Sequence, residues 1–144
     1  MAANSRLTVA AHALAWLALA GRQGRHALTS DEVAASVNTN PVVVRRCLGE
    51  LRRAGLVGVR HGAGAGWWLA RAAGEITLLD VYRAVEQKPL FGLHHGEPNL
   101  ECPVGRGIRP ALTEVYGGVE RAVEHELGRT SIADVLERTL GERR

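Results

Sequence analysis

Aromatic residues are scarce in this 144-residue chain, at 4%. An all-β sandwich leans on aromatic and β-branched side chains, so a core drawn from Ala, Leu and Val favours helices. Cysteine is nearly absent as well. Cys47 and Cys102 are too few for a disulfide scaffold or for a four-cysteine zinc or iron–sulfur site. No apolar run approaches the length of about 18 residues that a membrane helix needs, so no membrane partner is expected. Lysine is reduced to Lys88, and every other cationic base is arginine. The 18 Lys plus Arg against 15 Asp plus Glu leave a net charge of +3. That excess alone does not identify a nucleic-acid partner. Arginine is the better fork for phosphates and guanine edges, although GC-biased coding produces the same preference.

What remains is the composition of a folded domain. Hydrophobic residues make up 46% and charged residues 23%, which argues against a disordered chain. The apolar stretch 7–20 ends in small residues and imitates a signal peptide. Yet it contains Thr8 and His12, has Arg6 alone before it, and is followed by Arg22 and Arg25. A secretory leader carries its charge on the opposite side, so a folded helix in a cytoplasmic protein is expected.

Local signals divide the chain. Ser5 is placed to cap a helix over 6–20, with Gly21 as the stop and Leu7, Ala10, Ala11, Leu14 and Leu17 at helical spacing. Thr29-Ser30-Asp31-Glu32 forms a capping box that opens a short helix over 30–37. After the turn Asn38-Thr39-Asn40, the pair Asn40-Pro41 supplies an N-cap and an N1 proline for a helix over 41–54, and Gly55 suits the left-handed C-terminal cap. Two helices joined by so tight a turn make a helix-turn-helix. Residues 56–60 and 67–71 read as strands around a glycine-rich tip, a hairpin in the position of a wing. Thr77, with Asp80 at N3, caps a helix to about residue 87. Residues 88–109 read as a loop, Pro110 opens a long helix over 110–127, and a short helix covers about 131–140. Gly117-Gly118 inside the long helix costs stability unless another backbone packs closely there.

On the helix over 41–54, Val44, Leu48 and Leu51 share one side, with Cys47 at its margin. Val42, Arg45, Arg46, Gly49 and Arg53 lie opposite, with Arg52 close by and only Glu50 to offset the charge. A solvated face normally mixes Glu and Lys for i,i+4 pairing. Basic flanks around a thin centre instead suit a helix lying in a DNA groove. Thr39 and Asn40 are placed for phosphates or base edges, and Val42 for thymine methyls. Arg60, His61 and Gly62 at the start of the wing are placed for the adjacent minor groove. Gly-Ala-Gly-Ala-Gly at 62–66 lacks the Lys-Ser/Thr of a phosphate-binding loop.

In order along the chain, these segments resemble the Rrf2 family of bacterial winged-helix transcription regulators. The resemblance rests on Ser5-Arg6-Leu7, Thr29-Ser30-Asp31-Glu32-Val33-Ala34, Asn40-Pro41-Val42-Val43-Val44-Arg45-Arg46, Leu51-Arg52-Arg53-Ala54-Gly55-Leu56-Val57, the glycine-rich wing with Trp68-Leu69-Ala70-Arg71, and Ile76-Thr77-Leu78-Leu79-Asp80-Val81. It covers about residues 5–140. It implies a mainly α fold: a winged helix-turn-helix (α+β) with a two-stranded wing and a long C-terminal dimerisation helix. It further implies a homodimer, double-stranded DNA as partner, residues 39–46 in the major groove and 60–64 as the wing. The corresponding division is a DNA-binding domain over 1–87, a sensor loop over 88–109, and a dimerisation helix with a C-terminal helix over 110–144. A repressor is the expected sign of regulation.

Some members of the family sense iron–sulfur status or nitric oxide through three cysteines in that loop. Here the loop holds Cys102 alone, so no cofactor and no iron–sulfur cluster is expected, as in a cluster-free branch. Cys102, with Arg106, Arg109 and a helix start nearby, is the candidate redox sensor. His94, His95 and Cys102, with Glu97 or Glu101 as a further donor, have zinc-suited ligand types without a recognised spacing, which leaves a metal-sensing regulator as an alternative. A winged-helix protein–protein adaptor is another. Enzymatic catalysis is not expected: Cys102 with His94 or His95 lacks a third orienting group, and Glu97 and Glu101 share the loop without a pocket.

Overall fold

The computed structural model describes residues 4–141. They fold as two compact units, one made of residues 4–87 with 127–141 and the other of Lys88–Glu126.

The first unit is built around helix α1, Arg6–Arg22, whose Ala10, Ala13, Leu14, Leu17, Ala18 and Ala20 are buried. Small side chains let α2 (Ser30–Val37), α3 (Pro41–Arg53), α4 (Leu78–Val85) and α6 (Ile132–Gly141) all pack against it. Leu28, Val33, Val44, Leu48, Leu51, Leu56, Ile76, Val81 and Ile132 complete the core. Removing one such leucine to alanine costs about 2–5 kcal/mol, because the transfer energy and a cavity add. The wing is an antiparallel pair, β1 (Val57–Arg60) and β2 (Gly66–Leu69), in register Val57↔Leu69 to Arg60↔Gly66. Leu28 extends it as a bridge, its amide bonded to the Trp67 carbonyl at 3.0 Å and the return bond at 2.7 Å. Gly66, at φ +149°, is needed there: a Cβ would lie 2.8 Å from the Ala27 Cβ and 2.9 Å from the Leu28 carbonyl oxygen.

Capping follows the local chemistry. Both capping boxes form, Thr29 with Glu32 and Thr77 with Asp80. Gly55 takes φ +78°, and the Leu51 carbonyl accepts the Leu56 amide at 3.0 Å, closing α3. Helix α1 departs from expectation at both ends. Ser5 makes no side-chain cap; the Asn4 Oδ1 accepts the Arg6 amide at 2.9 Å, and the Asn4 side-chain amide is anchored on Glu86 at 2.7 Å. Gly21 stays helical, and Gly24 at φ +78° turns the chain instead, with the Ala20 carbonyl accepting the Arg25 amide. Helix α4 ends at Val85, two residues short of the expected end. Helix α6 is tied to the start of α4 by the Leu78 amide on the Thr130 carbonyl (2.9 Å) and the Ile132 amide on the Ile76 carbonyl (2.8 Å). The C-terminal helix therefore packs within the first unit.

The second unit holds the strap before α5 and most of α5 itself, Pro103–Leu127. The expected start at Pro110 is wrong by two turns. Pro103 occupies N1, where a missing N–H is harmless, and α5 runs through Pro110 at the loss of one backbone bond. The expected loop over 88–109 thus ends at residue 102. None of the described residues of α5 is buried.

Candidate nucleic-acid interface

Helix α3 is positioned from its start. The Asn40 Oδ1 accepts the Val42 amide at 2.8 Å, and Pro41 fixes the first turn. Asn40 is therefore occupied as a cap, and Thr39 is half-buried in the turn after Asn38, which adopts the left-handed conformation at φ 61°. One side of α3 is buried through Val44, Cys47, Leu48 and Leu51. The opposite side is open: Arg45, Arg46, Arg52 and Arg53 are exposed, and Val42 and Val43 stand 52% and 44% accessible between them. Exposed valines at a helix start are poor solvation and good surface for a groove.

The guanidinium groups are largely uncommitted. Arg45 approaches Asp31 at only 3.9 Å, with both side chains mostly exposed, a contact worth little in water. Among the described residues Arg46, Arg52, Arg53 and Arg60 form no ion pair. Gly49 lies within the basic face, and a Cβ there would meet nothing nearer than the Arg53 guanidinium at 3.8 Å, so folding does not require the glycine. Arg60 ends β1, and its guanidinium lies near Gly64 across the wing tip, where the Gly62 carbonyl accepts the Ala65 amide at 3.1 Å. His61 and Gly62 are exposed on that turn, Gly62 at φ +80°. Cys47, on the buried side of α3, is the opposite of a reactive thiol: burial first, then Glu50, pushes it up to about 11.

The second unit carries the other thiol. Cys102 is exposed and immediately precedes α5. The backbone amides of Gly105 and Val104 hold it below the ordinary thiol value. The arginines expected to do this do not. Arg109 donates instead to the carbonyls of His94 and Gly96, which shapes the strap, and its Nε is buried without a partner. Gly105 is needed because a Cβ there would overlap the Asn99 carbonyl. Phe91 packs on Tyr116 at 4.9 Å between ring centroids. His94 and His95 are exposed, and the described residues hold no group of three or more His, Cys, Asp or Glu able to hold a metal ion, so His94, His95 and Cys102 are not brought together as one.

The Rrf2 family, described as an iron-dependent transcriptional regulator, matches residues 3–138. The chain belongs to the Rrf2 family. It is 43% identical over 134 residues to YwnA of Bacillus subtilis (strain 168), described as a candidate HTH-type transcriptional regulator, and the match spans 92% of this chain and 96% of that one. A crystal structure of a candidate DNA-binding protein is similar at a TM-score of 0.72 and 40% identity, covering 92% of this chain and 99% of that one. IscR of T. potens reaches 0.71 at 21% identity over 96% and 88% of the two chains, a likeness of fold. This Rrf2 chain is therefore a DNA-binding transcriptional regulator with a winged helix-turn-helix, from a family of regulators rather than enzymes. Among the described residues no helix is long and apolar enough to cross a membrane.

The iron in the family description meets a poor donor set. Of the two cysteines in this Rrf2 protein, Cys47 is buried in the core with its thiol held protonated, and Cys102 has no cysteine neighbour in its strap. These residues do not fit an iron–sulfur cluster, whose ligands are several thiolates.

Proposed function

We propose that this regulator acts as a cytoplasmic homodimeric repressor, each α3 entering a major groove and each wing lying along the neighbouring minor groove. The reading is carried by the uncommitted arginines and exposed valines on the outward side of α3. Arg45 and Arg46 contact bases or phosphates; Thr39, Asn40 and Val42 meet the groove at the helix start. Arg53, Arg60, His61 and Gly62 position the backbone and the wing. Residues 1–87 then form the DNA-binding part, the strap after residue 87 the sensor segment and α5 the dimer contact.

Dimerisation draws its support from α5 and its strap. Val104, Val115 and Val119 are exposed at 68%, 59% and 37%, and Phe91 at 47%. A Cβ added at Gly117 or Gly118 would meet only the Arg121 side chain, so these glycines serve no packing among the described residues. A second copy gives both features a use. The exposed thiol of Cys102, held below the ordinary thiol value by the helix amides, supports a redox-switched DNA affinity.

Salt titration of duplex binding tests the core of this reading. Wild-type binding weakens steeply with salt, and Arg46→Ala costs about 1–3 kcal/mol if it reads a guanine, or weakens all sequences alike if it holds a phosphate. Unaltered affinity in both Arg45→Ala and Arg46→Ala would refute the assignment of α3. For the switch, wild type and Cys102→Ser are oxidised and compared. Identical DNA release by both removes the thiol from the mechanism.

A further inference from the structure

The DNA-facing surface does not stop at the helix-turn-helix. At the margin of α3 lies a hollow of about 100 Å³ whose walls include Ser5 and Arg6 at the start of α1, and Arg46 and Glu50 on α3. Arg6 and Arg46 are both exposed, and among the described residues neither is in an ion pair. Glu50 shares the hollow without pairing to either, so two cations face one carboxylate. No acidic residue occupies the first turn of α1, and the positive end of that helix adds to the same sign of charge. The backbone there is fixed, because Asn4 takes the Arg6 amide and is itself held by Glu86.

We propose that Arg6, acting with Arg46, binds a DNA backbone phosphate at the edge of the groove that α3 enters. The inference rests on the reading that α3 faces the duplex. Arg46 lies on α3 itself, whereas Arg6 comes from a different helix beside it. A cation displaced sideways from a groove-bound helix meets the sugar–phosphate wall rather than base edges. Such a contact fixes register and carries no sequence preference. It enlarges the interface from two elements, the helix-turn-helix and the wing, to three.

The test is the salt dependence of binding to labelled duplexes, one enriched by selection and one of random sequence. Arg6→Gln lowers the slope of log K against log[salt] by about 0.9 per bound subunit, which corresponds to about eightfold weaker binding per subunit at 0.1 M salt, equally on both duplexes. Arg6→Lys restores the slope, since a point charge releases the same counterion. Arg22→Gln, at the opposite end of α1, controls for lost net charge. An unchanged slope in Arg6→Gln, or an equal drop in Arg22→Gln, overturns the proposal. A wild type that binds no duplex at any salt overturns the nucleic-acid reading together with this contact. Free phosphate satisfies the same groups, so chloride is exchanged for inorganic phosphate at constant ionic strength. Displacement by phosphate in wild type but not in Arg6→Gln is competition for the same arginine and supports the backbone contact; phosphate that binds wild type while Arg6→Gln leaves the duplex slope unchanged makes the hollow a free-anion site and overturns it.

Discussion

Asn40 separates the folding of α3 from its use. Its Oδ1 accepts the Val42 amide at 2.8 Å and is the side-chain cap of that helix. Asn40→Ala removes the acceptor and costs about 1 kcal/mol, within the range of about 0.5–2 kcal/mol for such caps. For a chain of this size, that lowers Tm by about 3 °C. Asn40→Asp keeps an acceptor in the same place and adds a negative charge at the positive end of α3, which stabilises by about 0.3–1 kcal/mol. The two variants therefore move stability in opposite directions. On DNA the aspartate fails for another reason. A carboxylate about 4 Å from a phosphate in water is repelled by about 1 kcal/mol, roughly a fivefold loss of affinity per subunit. Thermal unfolding followed by tryptophan fluorescence reads the first effect, and duplex anisotropy at low salt reads the second. An Asp variant as stable as wild type that also binds duplex as tightly would refute the placement of the α3 start against phosphates. An Ala variant with no loss of Tm would refute the cap.

Three further outcomes concern the packing and the thiols. Gly66→Ala forces a Cβ against Ala27 and the Leu28 carbonyl at the base of the wing, and lowers stability by about 1–3 kcal/mol; an unchanged urea midpoint refutes the close approach. Iodoacetamide at pH 8 alkylates Cys102 in the native protein and spares Cys47, and equal rates refute the assignment of environments. The pH dependence has a definite sign. The folded state keeps the Cys47 proton from 9.0 up to about 11, so it binds more protons than the unfolded chain and stability falls as pH rises through that window. Cys47→Ala makes that decline shallower.

Elements fixed by short-range hydrogen bonds were legible in the sequence. Thr29 with Glu32, Thr77 with Asp80, Asn40 with Pro41, and Gly55 all act where their types and spacing place them, because each bond closes within a few residues. The errors arose where two residues competed for one role. Asn4 rather than Ser5 caps α1 because Glu86, distant in sequence, anchors its amide. Gly24 rather than Gly21 turns the chain after α1. Pro103 rather than Pro110 opens α5, since either proline fits N1 and the stretch between them lacks an apolar period. The outward face of α3 could be read from residue types and a 3.6-residue period. The hollow joining Arg6 to Arg46 could not, because no local pattern links residues 40 positions apart.

The linear order of caps, glycines and apolar spacing sufficed to fix a helix-turn-helix, a wing and an arginine-rich surface on α3. Those features depend on neighbours a few residues away. Only the tertiary structure decided which helices share a core, that α6 closes the first unit against α1, that helix amides rather than arginines tune Cys102, and that the start of α1 lies beside α3. Each of these depends on contacts made between distant segments, whose geometry is set by the packing of the whole core.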